Sequence, residues 1–392
     1  MTSITLPPLS LYVHIPWCVR KCPYCDFNSH VSSDTDGKIP EAEYLAQLKL
    51  DLAEDLHWAQ GRLLRSIFFG GGTPSLMSGA FYQDLLAYIE LKIPFHPDIE
   101  ITLEANPGTT EADRFKAYRK AGINRLSVGV QSFQPEHLKR LGRIHSNDDA
   151  IRAIKQAKSA GFENFNIDLM HGLSEQSLEE AMTDLKQAIA LGPSHLSWYQ
   201  LTIEQNTEYY RHPPKLPEDE ALWDIQTAGI ELLKSAGFEQ YEVSAFARKG
   251  REAQHNLNYW HFGDYIGIGA GAHSKVTRLE PSRESEYILS DILRYRKTRM
   301  PKDYLLPKPS FRIGQESIAS EDLGFEFLMN VLRLNQGVEV PLFSERTGLA
   351  LTALEPQLSE LRKKGLIEMD RLCTTEKGHL FLNSILEKFA DS

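Results

Sequence analysis

The sequence predicts an α/β fold: a partial (β/α)6 barrel, similar to a TIM barrel left open on one side, followed by a small winged-helix-like α+β domain. Two observations predict the barrel. Apolar strand patterns alternate with helical patterns up to residue 246, which is typical of a parallel sheet covered by helices. Polar residues follow the predicted strands at their carboxyl ends, where α/β barrels carry their sites.

Seven segments have the apolar character of strands, and helical patterns separate most of them. The predicted strands are 9–15, 66–69, 99–105, 125–130, 165–169, 195–201 and 241–246. The first helix repeats leucine on one face, at Leu45, Leu48, Leu52 and Leu56. Four later helical patterns end in glycine, which suits the left-handed residue that closes a helix, at Gly122, Gly161, Gly192 and Gly237.

The chain divides into three predicted parts. The barrel and its cofactor site are expected at residues 1–280, a proline-containing linker at 281–319, and the winged-helix-like domain at 320–392. In the last part, helical patterns at 321–334, 341–347, 353–364 and 379–389 accompany a short β-wing at 365–374. An acidic excess in this part disfavours DNA reading, so we interpret it as a lid or docking module.

Composition excludes several classes of function. The 53 acidic and 43 basic residues give a net charge of -10, which opposes nonspecific binding to nucleic acid. We expect no transmembrane segment and at most transient membrane contact, because no apolar run reaches the roughly 18 residues that would span a bilayer. The first ten residues lack the pattern of a signal peptide, so a cytoplasmic location is expected.

Three of the four cysteines, Cys18, Cys22 and Cys25, form a CxxxCxxC motif directly after the first strand. Three thiolates can hold three irons of a [4Fe–4S] cluster and leave the fourth iron open. The alternative is a structural zinc completed by His14 or His30, although zinc usually takes paired CxxC units and four protein ligands. Cys373 is interpreted as a small apolar residue rather than a fourth ligand.

A glycine motif, GGGTP at 70–74, follows the second strand. Taken alone it is a tight turn, although glycines there also let the backbone approach a ligand closely. Together with the cysteine motif it resembles the radical S-adenosylmethionine (SAM) superfamily, whose members carry CxxxCxΦC on the first loop of a partial barrel. Tyr24 fills the aromatic position Φ.

Further motifs are similar to one branch of that superfamily, which contains oxygen-independent coproporphyrinogen III oxidases and the HemW heme chaperones. The resemblance covers nearly the whole chain. Its motifs are YVHIPWC at 12–18, CDF at 25–27, LEANPG at 103–108, SVGVQSF at 127–133, LGR at 141–143 and NIDLMHGL at 166–173.

The resemblance implies a set of cofactor-binding residues. The cluster held by the three cysteines would chelate SAM through its open iron, and one electron could cleave SAM to methionine and a 5′-deoxyadenosyl radical. Gly71, Gly72 and Thr73 would meet the methionine amino group. The SAM region would be lined by Tyr12, Glu104, Gln131, Arg143 and Asp168.

The chemistry of these side chains agrees with that assignment. Glu104 can accept hydrogen bonds from ribose hydroxyls, and Arg143 with Asp168 offers a charge pair to a polar cofactor. The alternative for Arg143 and Asp168 is a salt bridge that closes the barrel end. Thr202 and His273 occupy positions that in the oxidase would meet a second SAM.

A third motif, HNLNYW at 255–260, is similar to the HNxxYW motif of the heme chaperones, in which the histidine is a proposed heme ligand. Imidazole is a good axial ligand, so His255 is the candidate, with Tyr259 and Trp260 available to pack on the porphyrin. The alternative is an aromatic cluster that fastens the open side of the barrel. The glycine-rich stretch at 267–273 is interpreted as close backbone packing.

Two departures from the oxidase favour the chaperone. Phe27 stands where the oxidase has a further cysteine, and the cysteine loop lies close to Met1, which leaves no room for the oxidase's N-terminal extension. The expected function is a heme carrier that delivers heme to an acceptor hemoprotein, such as a respiratory enzyme, with an electron donor serving the cluster. Oxidative decarboxylation of coproporphyrinogen III is the alternative.

Overall fold

The computed structural model describes residues 6–32, 38–109, 112–281 and 287–390. Its strands, in chain order, are β1 (Leu9–Ile15), β2 (Trp17–Cys18), β3 (His30–Val31), β4 (Leu64–Gly71), β5 (Phe95–Ala105), β6 (Arg125–Gln131), β7 (Phe165–His171), β8 (His195–Gln200), β9 (Glu239–Glu242), β10 (Ala245–Ala247), β11 (Asp264–Ile268), β12 (His273–Pro281), β13 (Tyr287–Lys297), β14 (Arg312–Ser317), β15 (Val338–Glu339) and β16 (Arg371–Leu372).

The α-helices cover the outside of the barrel and form most of the C-terminal part. They are α1 (Glu41–Asp55), α2 (Gly79–Lys92), α3 (Ala112–Ala121), α4 (Pro135–Arg140), α5 (Asn147–Ser159), α6 (Leu178–Ala190), α7 (Glu208–Arg211), α8 (Asp219–Ser235), α9 (Gln254–Trp260), α10 (Pro301–Leu305), α11 (Leu323–Val331), α12 (Pro341–Thr347), α13 (Gln357–Lys363), α14 (Glu376–Leu380) and α15 (Leu382–Ala390). Among the described residues, no helix is both long and apolar enough to cross a membrane.

The predicted partial barrel is confirmed. Twelve strands form one sheet in the order β14-β13-β12-β11-β1-β4-β5-β6-β7-β8-β10-β9, and its two edge strands do not pair with each other. Strands β1, β4, β5, β6, β7 and β8 run parallel, each paired with the next. Their carboxyl ends therefore meet at one edge, as the distribution of polar residues predicted.

The predicted strand 241–246 is wrong in its detail, because the chain reverses within it. Strands β9 and β10 pair antiparallel with each other, and β10 pairs antiparallel with β8. The side chain of Glu242 accepts a hydrogen bond from the backbone N–H of Ser244 at 3.0 Å, which closes a tight turn between the two strands. The barrel consequently stops at six parallel βα strands on this side.

Strand β11 was not predicted, although it pairs parallel with β1 on the other side of the barrel. The glycines in and after it pack closely, as expected: a Cβ atom at Gly267 would lie 2.1 Å from the His273 oxygen, and one at Gly269 would lie 2.4 Å from the His14 oxygen. Because these glycines break the apolar alternation of a strand, the pattern hid the element.

The segment predicted to be an irregular linker contains strands β13 and β14 and helix α10. The two strands extend the main sheet beyond β12. Lys297, at the end of β13, is fully buried, and its Nζ lies 2.5 Å from Asp51 and 2.8 Å from Asp55 of α1. Residues 287–319 of this segment are held by contacts with residues distant in the sequence, while the three-part division of the chain stays a prediction.

The C-terminal part has its own apolar core, which includes Phe327, Phe343 and Leu358. Helices α11–α15 correspond to the predicted helical patterns, and β16, within the predicted wing, pairs with β15, which lies outside it. Phe262 of the barrel belongs to the same core, with its ring 5.6 Å from that of Phe327. The small domain is therefore packed against the barrel.

Candidate cofactor site

A cavity of about 380 Å³ opens at the carboxyl ends of the barrel strands. Its walls bring together residues from the cysteine loop, the glycine loop and four strands. The predicted site residues that line it are Cys18, Cys22, Cys25, Gly71, Gly72, Thr73, Glu104, Gln131, Arg143 and Asp168. Of the predicted set, Tyr12 and His255 lie outside this cavity, which we call the inner cavity.

The cysteine loop leaves β1 and turns back on itself. Cys18 is buried at the end of β2, whereas Cys22 and Cys25 are half-buried, and the Cys25 N–H donates to the Cys22 oxygen at 3.1 Å. Thr73 Oγ1 donates to Cys18 Sγ at 3.5 Å. Burial raises the pKa values of the Cys18 and Cys25 thiols, so a bound metal centre would have to displace their protons.

The donor set fits an iron–sulfur cluster better than a zinc ion. A cluster binds each thiolate to a separate iron, so the three sulfurs need not converge on one point. Within the described ranges, no three His, Cys, Asp or Glu side chains are arranged around a single ion. His14, one candidate fourth ligand, already contacts Tyr12 Oη through Nδ1 at 3.0 Å and the Asn28 oxygen through Nε2 at 2.9 Å.

The glycine loop is held against the cysteine loop by the backbone. Gly72 N–H donates to the Ile15 oxygen at 2.7 Å, and Thr73 N–H donates to the Trp17 oxygen at 2.8 Å. Gly71 has a φ of +114°, and a Cβ atom there would lie 2.4 Å from the His14 ring. A side chain at this position would collide with the His14 ring at the end of β1, so glycine is required there whether or not a ligand is bound.

Two half-buried carboxyl groups, those of Glu104 and Asp168, face the same cavity. Burial and the neighbouring charge of Asp168 raise the pKa of Glu104 to about 8, despite the hydrogen bond that its Oε2 accepts from Gly71 N–H at 3.1 Å. Burial also raises the pKa of Asp168, which accepts hydrogen bonds from Ser127 at 2.9 Å and Asn166 at 2.7 Å. Such raised pKa values are typical of ligand sites.

Arg143 is not in a salt bridge with Asp168. Its Nη2 donates to the Gly129 oxygen at 2.6 Å and its Nη1 to Cys22 Sγ at 3.7 Å, and the ion pairs of the described residues do not include Asp168. Arg143 Nε is buried without a partner. The predicted alternative, a salt bridge that closes the barrel end, is wrong, and the guanidinium lies beside the cysteine loop.

Gln131 ends β6 with a φ of +71°, an uncommon conformation for a residue with a side chain. Its Oε1 accepts a hydrogen bond from Tyr199 Oη at 2.6 Å. The turned backbone directs the amide toward the Arg143 side of the cavity, since the Gln131 Nε2 atom lies 3.1 Å from where a Cβ atom of Gly129 would be. Strain of this kind is concentrated at functional sites.

A larger cavity of about 790 Å³ adjoins the inner cavity, and we call it the outer cavity. Phe27, Gly71 and Glu104 line both. Tyr12 lines the outer cavity, and so does His273. The sequence analysis missed several of its other lining residues, among them Asn28, Tyr265, Arg296 and Arg299. No motif marks them, and two of them lie in the segment predicted to be a linker.

His255 lies in the interior of the barrel. Only 3% of it is exposed, its Nδ1 is 3.0 Å from Ser66 Oγ, and its ring stacks on Phe68 with centroids 4.9 Å apart. Burial lowers its pKa to about 3, with a further contribution from Arg125. It lines neither cavity, so the arrangement corresponds to the alternative of an aromatic cluster, and a role of His255 in heme binding stays a prediction.

Two other residues singled out in the sequence also lie away from the cavities. Thr202 Oγ1 donates to Glu204 at 2.9 Å and lines neither cavity. Cys373 is buried in the C-terminal part, and its Sγ lies 3.3 Å from the Asn335 oxygen. The position of Cys373 agrees with the interpretation of it as a packed apolar residue.

Comparison with known proteins identifies the family. Residues 12–185 match the model of the radical SAM superfamily, and residues 318–381 match that of the HemN C-terminal domain. The chain is 52% identical over 388 residues to the protein named heme chaperone HemW of Escherichia coli, covering 98% of this chain and 99% of that one. The chain belongs to the HemW family of the radical SAM superfamily.

More distant members agree with this assignment. The HemW of Bacillus subtilis is 32% identical over 388 residues, covering 97% of this chain and 98% of that one. Among solved structures, the coproporphyrinogen III oxidase HemN of Escherichia coli matches with a TM-score of 0.79 and 24% identity, over 98% of this chain and 90% of that chain. The HemW family and that oxidase therefore share a fold, and membership implies an iron–sulfur cluster and SAM.

Proposed function

We propose that this protein is a heme chaperone that binds heme together with a [4Fe–4S] cluster and SAM, and transfers the heme to an acceptor hemoprotein such as a respiratory enzyme. The observation that carries the proposal is the near-full-length similarity to relatives named heme chaperone. The adjoining cavities support it, because they offer separate space for a cofactor and a cargo. The proposal includes a cytoplasmic location and an electron donor for the cluster.

In the proposed arrangement, Cys18, Cys22 and Cys25 hold the cluster, which together with SAM supplies one-electron chemistry when both are bound. One neighbouring side chain partly offsets the burial that raises the pKa of Cys18. Thr73 donates a hydrogen bond to Cys18, and the Arg143 guanidinium lies beside Cys22. The hydrogen bond from Thr73 stabilises the anionic form of the Cys18 sulfur.

Glu104 is placed to respond to a ligand. Its carboxyl group lies between the two cavities, and its pKa of about 8 keeps it protonated at neutral pH in the ligand-free chain. A cationic sulfonium nearby would favour the carboxylate, which is the better acceptor for ribose hydroxyls. We expect SAM binding to release a proton from this residue.

Phe27 supports a carrier over an oxidase. Its side chain is 57% exposed and lines both cavities, at the position where the oxidase has a further cysteine. An apolar ring here offers a contact surface for a porphyrin and supplies neither a thiol nor a proton donor. The carrier proposal therefore predicts heme binding without turnover of coproporphyrinogen III.

The test is anaerobic reconstitution followed by three measurements on the full chain. The purified protein should be brown and contain about four irons per chain, it should bind heme with a shifted Soret band, and it should transfer that heme to an apo-hemoprotein. Cys22→Ser is the control for the cluster. Conversion of coproporphyrinogen III at an ordinary enzymatic rate, roughly one per second, would overturn the proposal in favour of the oxidase, and bound zinc without iron would reject the cluster.

A further inference from the structure

We propose that heme binds in the outer cavity, with the imidazole of His273 as the axial ligand of its iron and with Arg296 and Arg299 as partners of its propionates. This inference rests on the proposed function and specifies where the cargo lies. It differs from the motif-based prediction, which assigned the ligand to His255. The outer cavity has a volume of about 790 Å³, within the range of sites that enclose large cofactors.

His273 is the histidine of this cavity whose nitrogens are free. Among the described residues, neither of its ring nitrogens has a hydrogen-bond partner, and the residue is exposed at the start of β12. Partial desolvation of the ring within the cavity lowers its pKa, with the charges of Arg296 and Arg294 contributing, which favours the neutral imidazole that binds iron. His14 lines the same cavity, but both of its nitrogens already contact Tyr12 and Asn28.

The loop before His273 is anchored to the cysteine loop. Asn28 Nδ2 donates to the Ala270 oxygen and to the Arg299 oxygen, both at 2.9 Å. Gly271 has a φ of +81°, and a Cβ atom there would lie 2.3 Å from Asn28 Nδ2. The imidazole is therefore held at a defined distance from the loop that carries the cluster ligands.

Two arginines without acidic partners flank the same opening. Arg296 pairs directly with His273 across β12 and β13, and directly paired residues of an antiparallel pair project to the same face of the sheet. Within the described part of the chain, neither Arg296 nor Arg299 forms an ion pair, and Arg299 Nε donates to Asn28 Oδ1 at 3.2 Å. Exposed guanidinium groups of this kind suit carboxylates.

The remaining charges of the outer cavity leave it positive at neutral pH. Lys297 and Arg312 together balance Asp51 and Asp55 beneath the surface, and Glu104 is protonated because its pKa is about 8. Asp26 also lines the cavity, and its negative charge offsets one of the positive charges of Arg296 and Arg299. The net excess of positive charge favours a ligand with two carboxylates.

The apolar walls complete the match with a porphyrin. Phe27 and Ile313 line the cavity and are 57% and 51% exposed, so a flat apolar ligand would cover surface that water now contacts. Tyr259 and Tyr265, whose rings are 4.5 Å apart, form another wall. Through Tyr259, the HNxxYW motif contributes to this cavity even though its histidine does not.

The experiment is a hemin titration of the reconstituted full chain and four variants. His273→Ala should lose the histidine-ligated Soret band and bind hemin at least about tenfold more weakly, and added imidazole should restore the band. His255→Ala should keep the band while lowering the melting temperature. His212→Ala, an exposed histidine outside both cavities, is the matched control and should bind as the wild type does.

The fourth variant, Arg296→Ala combined with Arg299→Ala, tests the propionates. It should bind hemin about tenfold more weakly but bind hemin dimethyl ester, which lacks the two charges, as the wild type does. Iron content and melting temperature should match the wild type in the His273 and arginine variants, since these side chains are exposed.

The outcomes separate this inference from the proposed function. If the wild-type chain binds no hemin, both the chaperone proposal and the inference about the outer cavity are refuted. Hemin binding with an unchanged spectrum and affinity in His273→Ala, and with the loss in His255→Ala instead, would overturn the inference and leave the chaperone proposal in place. Loss of a second bound SAM in His273→Ala, with hemin binding unchanged, would assign the outer cavity to that nucleoside and also overturn the inference.

Discussion

Replacement of Gly71 by alanine should destabilise the protein through a specific collision, and a second glycine offers a matched control. Both Gly71 and Gly61 have positive φ angles, +114° and +76°. A Cβ atom at Gly61 would meet nothing within 4 Å, whereas one at Gly71 would lie 2.4 to 2.8 Å from three atoms of the His14 ring. Gly61→Ala therefore isolates the backbone strain, and Gly71→Ala adds the collision.

The magnitudes follow from the contacts of His14. A left-handed backbone costs an alanine about 1–2 kcal/mol, which is the whole effect expected for Gly61→Ala. At Gly71 the histidine ring must also move, which weakens its contacts with Tyr12 and Asn28, each contributing about 0.5–1.5 kcal/mol. Overpacking adds about 1–3 kcal/mol more, so Gly71→Ala should lower the free energy of unfolding by roughly 3–8 kcal/mol in total.

Urea unfolding of the two variants and the wild type, with equal m-values, measures this difference. Iron content and SAM binding after reconstitution then show whether the displaced ring also disturbs the inner cavity, as we expect for Gly71→Ala alone. Equal destabilisation by the two substitutions would refute the reasoning, because it would mean that moving the His14 ring away from the added Cβ atom does not change the free energy of unfolding.

Cys373→Ser should retain the iron content of the wild type after reconstitution, whereas Cys22→Ser should lose it; equal loss in both would make Cys373 a cluster ligand. Lys297→Met should lower the free energy of unfolding by about 3–5 kcal/mol, since it leaves the buried Asp51 without its cation and Asp55 with Arg312 alone, and a midpoint shift no larger than that of an exposed control, Lys116→Met, would contradict this. The pKa of Glu104, about 8, lies above its unfolded value, so between about pH 4.5 and 8 the folded chain holds a proton that the unfolded chain has lost, and stability falls as the pH rises. Glu104→Gln should remove that decline in stability. The slope should be below about 1.4 kcal/mol per pH unit, because the group is in contact with the open cavities and is screened by solvent. Parallel profiles of stability against pH for the variant and the wild type would contradict a raised pKa of Glu104.

The sequence was informative wherever a residue's role depends on near neighbours in the chain. Cys18, Cys22 and Cys25 lie within eight positions, so their spacing predicts one loop whatever the rest of the fold does. The parallel strands from β1 to β8 follow from local apolar runs, and their polar ends indicated a shared edge. Ten of the predicted site residues consequently line one cavity.

The sequence was less informative where contacts between distant residues fix the conformation. His255 has the composition of a ligand motif, but Ser66 and Phe68 of another strand hold its ring inside the barrel. The prolines after residue 300 indicated a linker, yet strands β13 and β14 extend the sheet by pairing with β12 and with each other.

By itself, the sequence determined the cysteine and glycine loops, the order of the barrel strands and the family to which the chain belongs, because each of these depends on spacing along the chain. Only the tertiary structure decided that Gly71 faces His14, that Arg143 lies beside Cys22 rather than in a salt bridge with Asp168, and that His273 and Arg296 share a cavity. Those relations join strands far apart in sequence. Their energies arise from packing and burial, which no local pattern encodes.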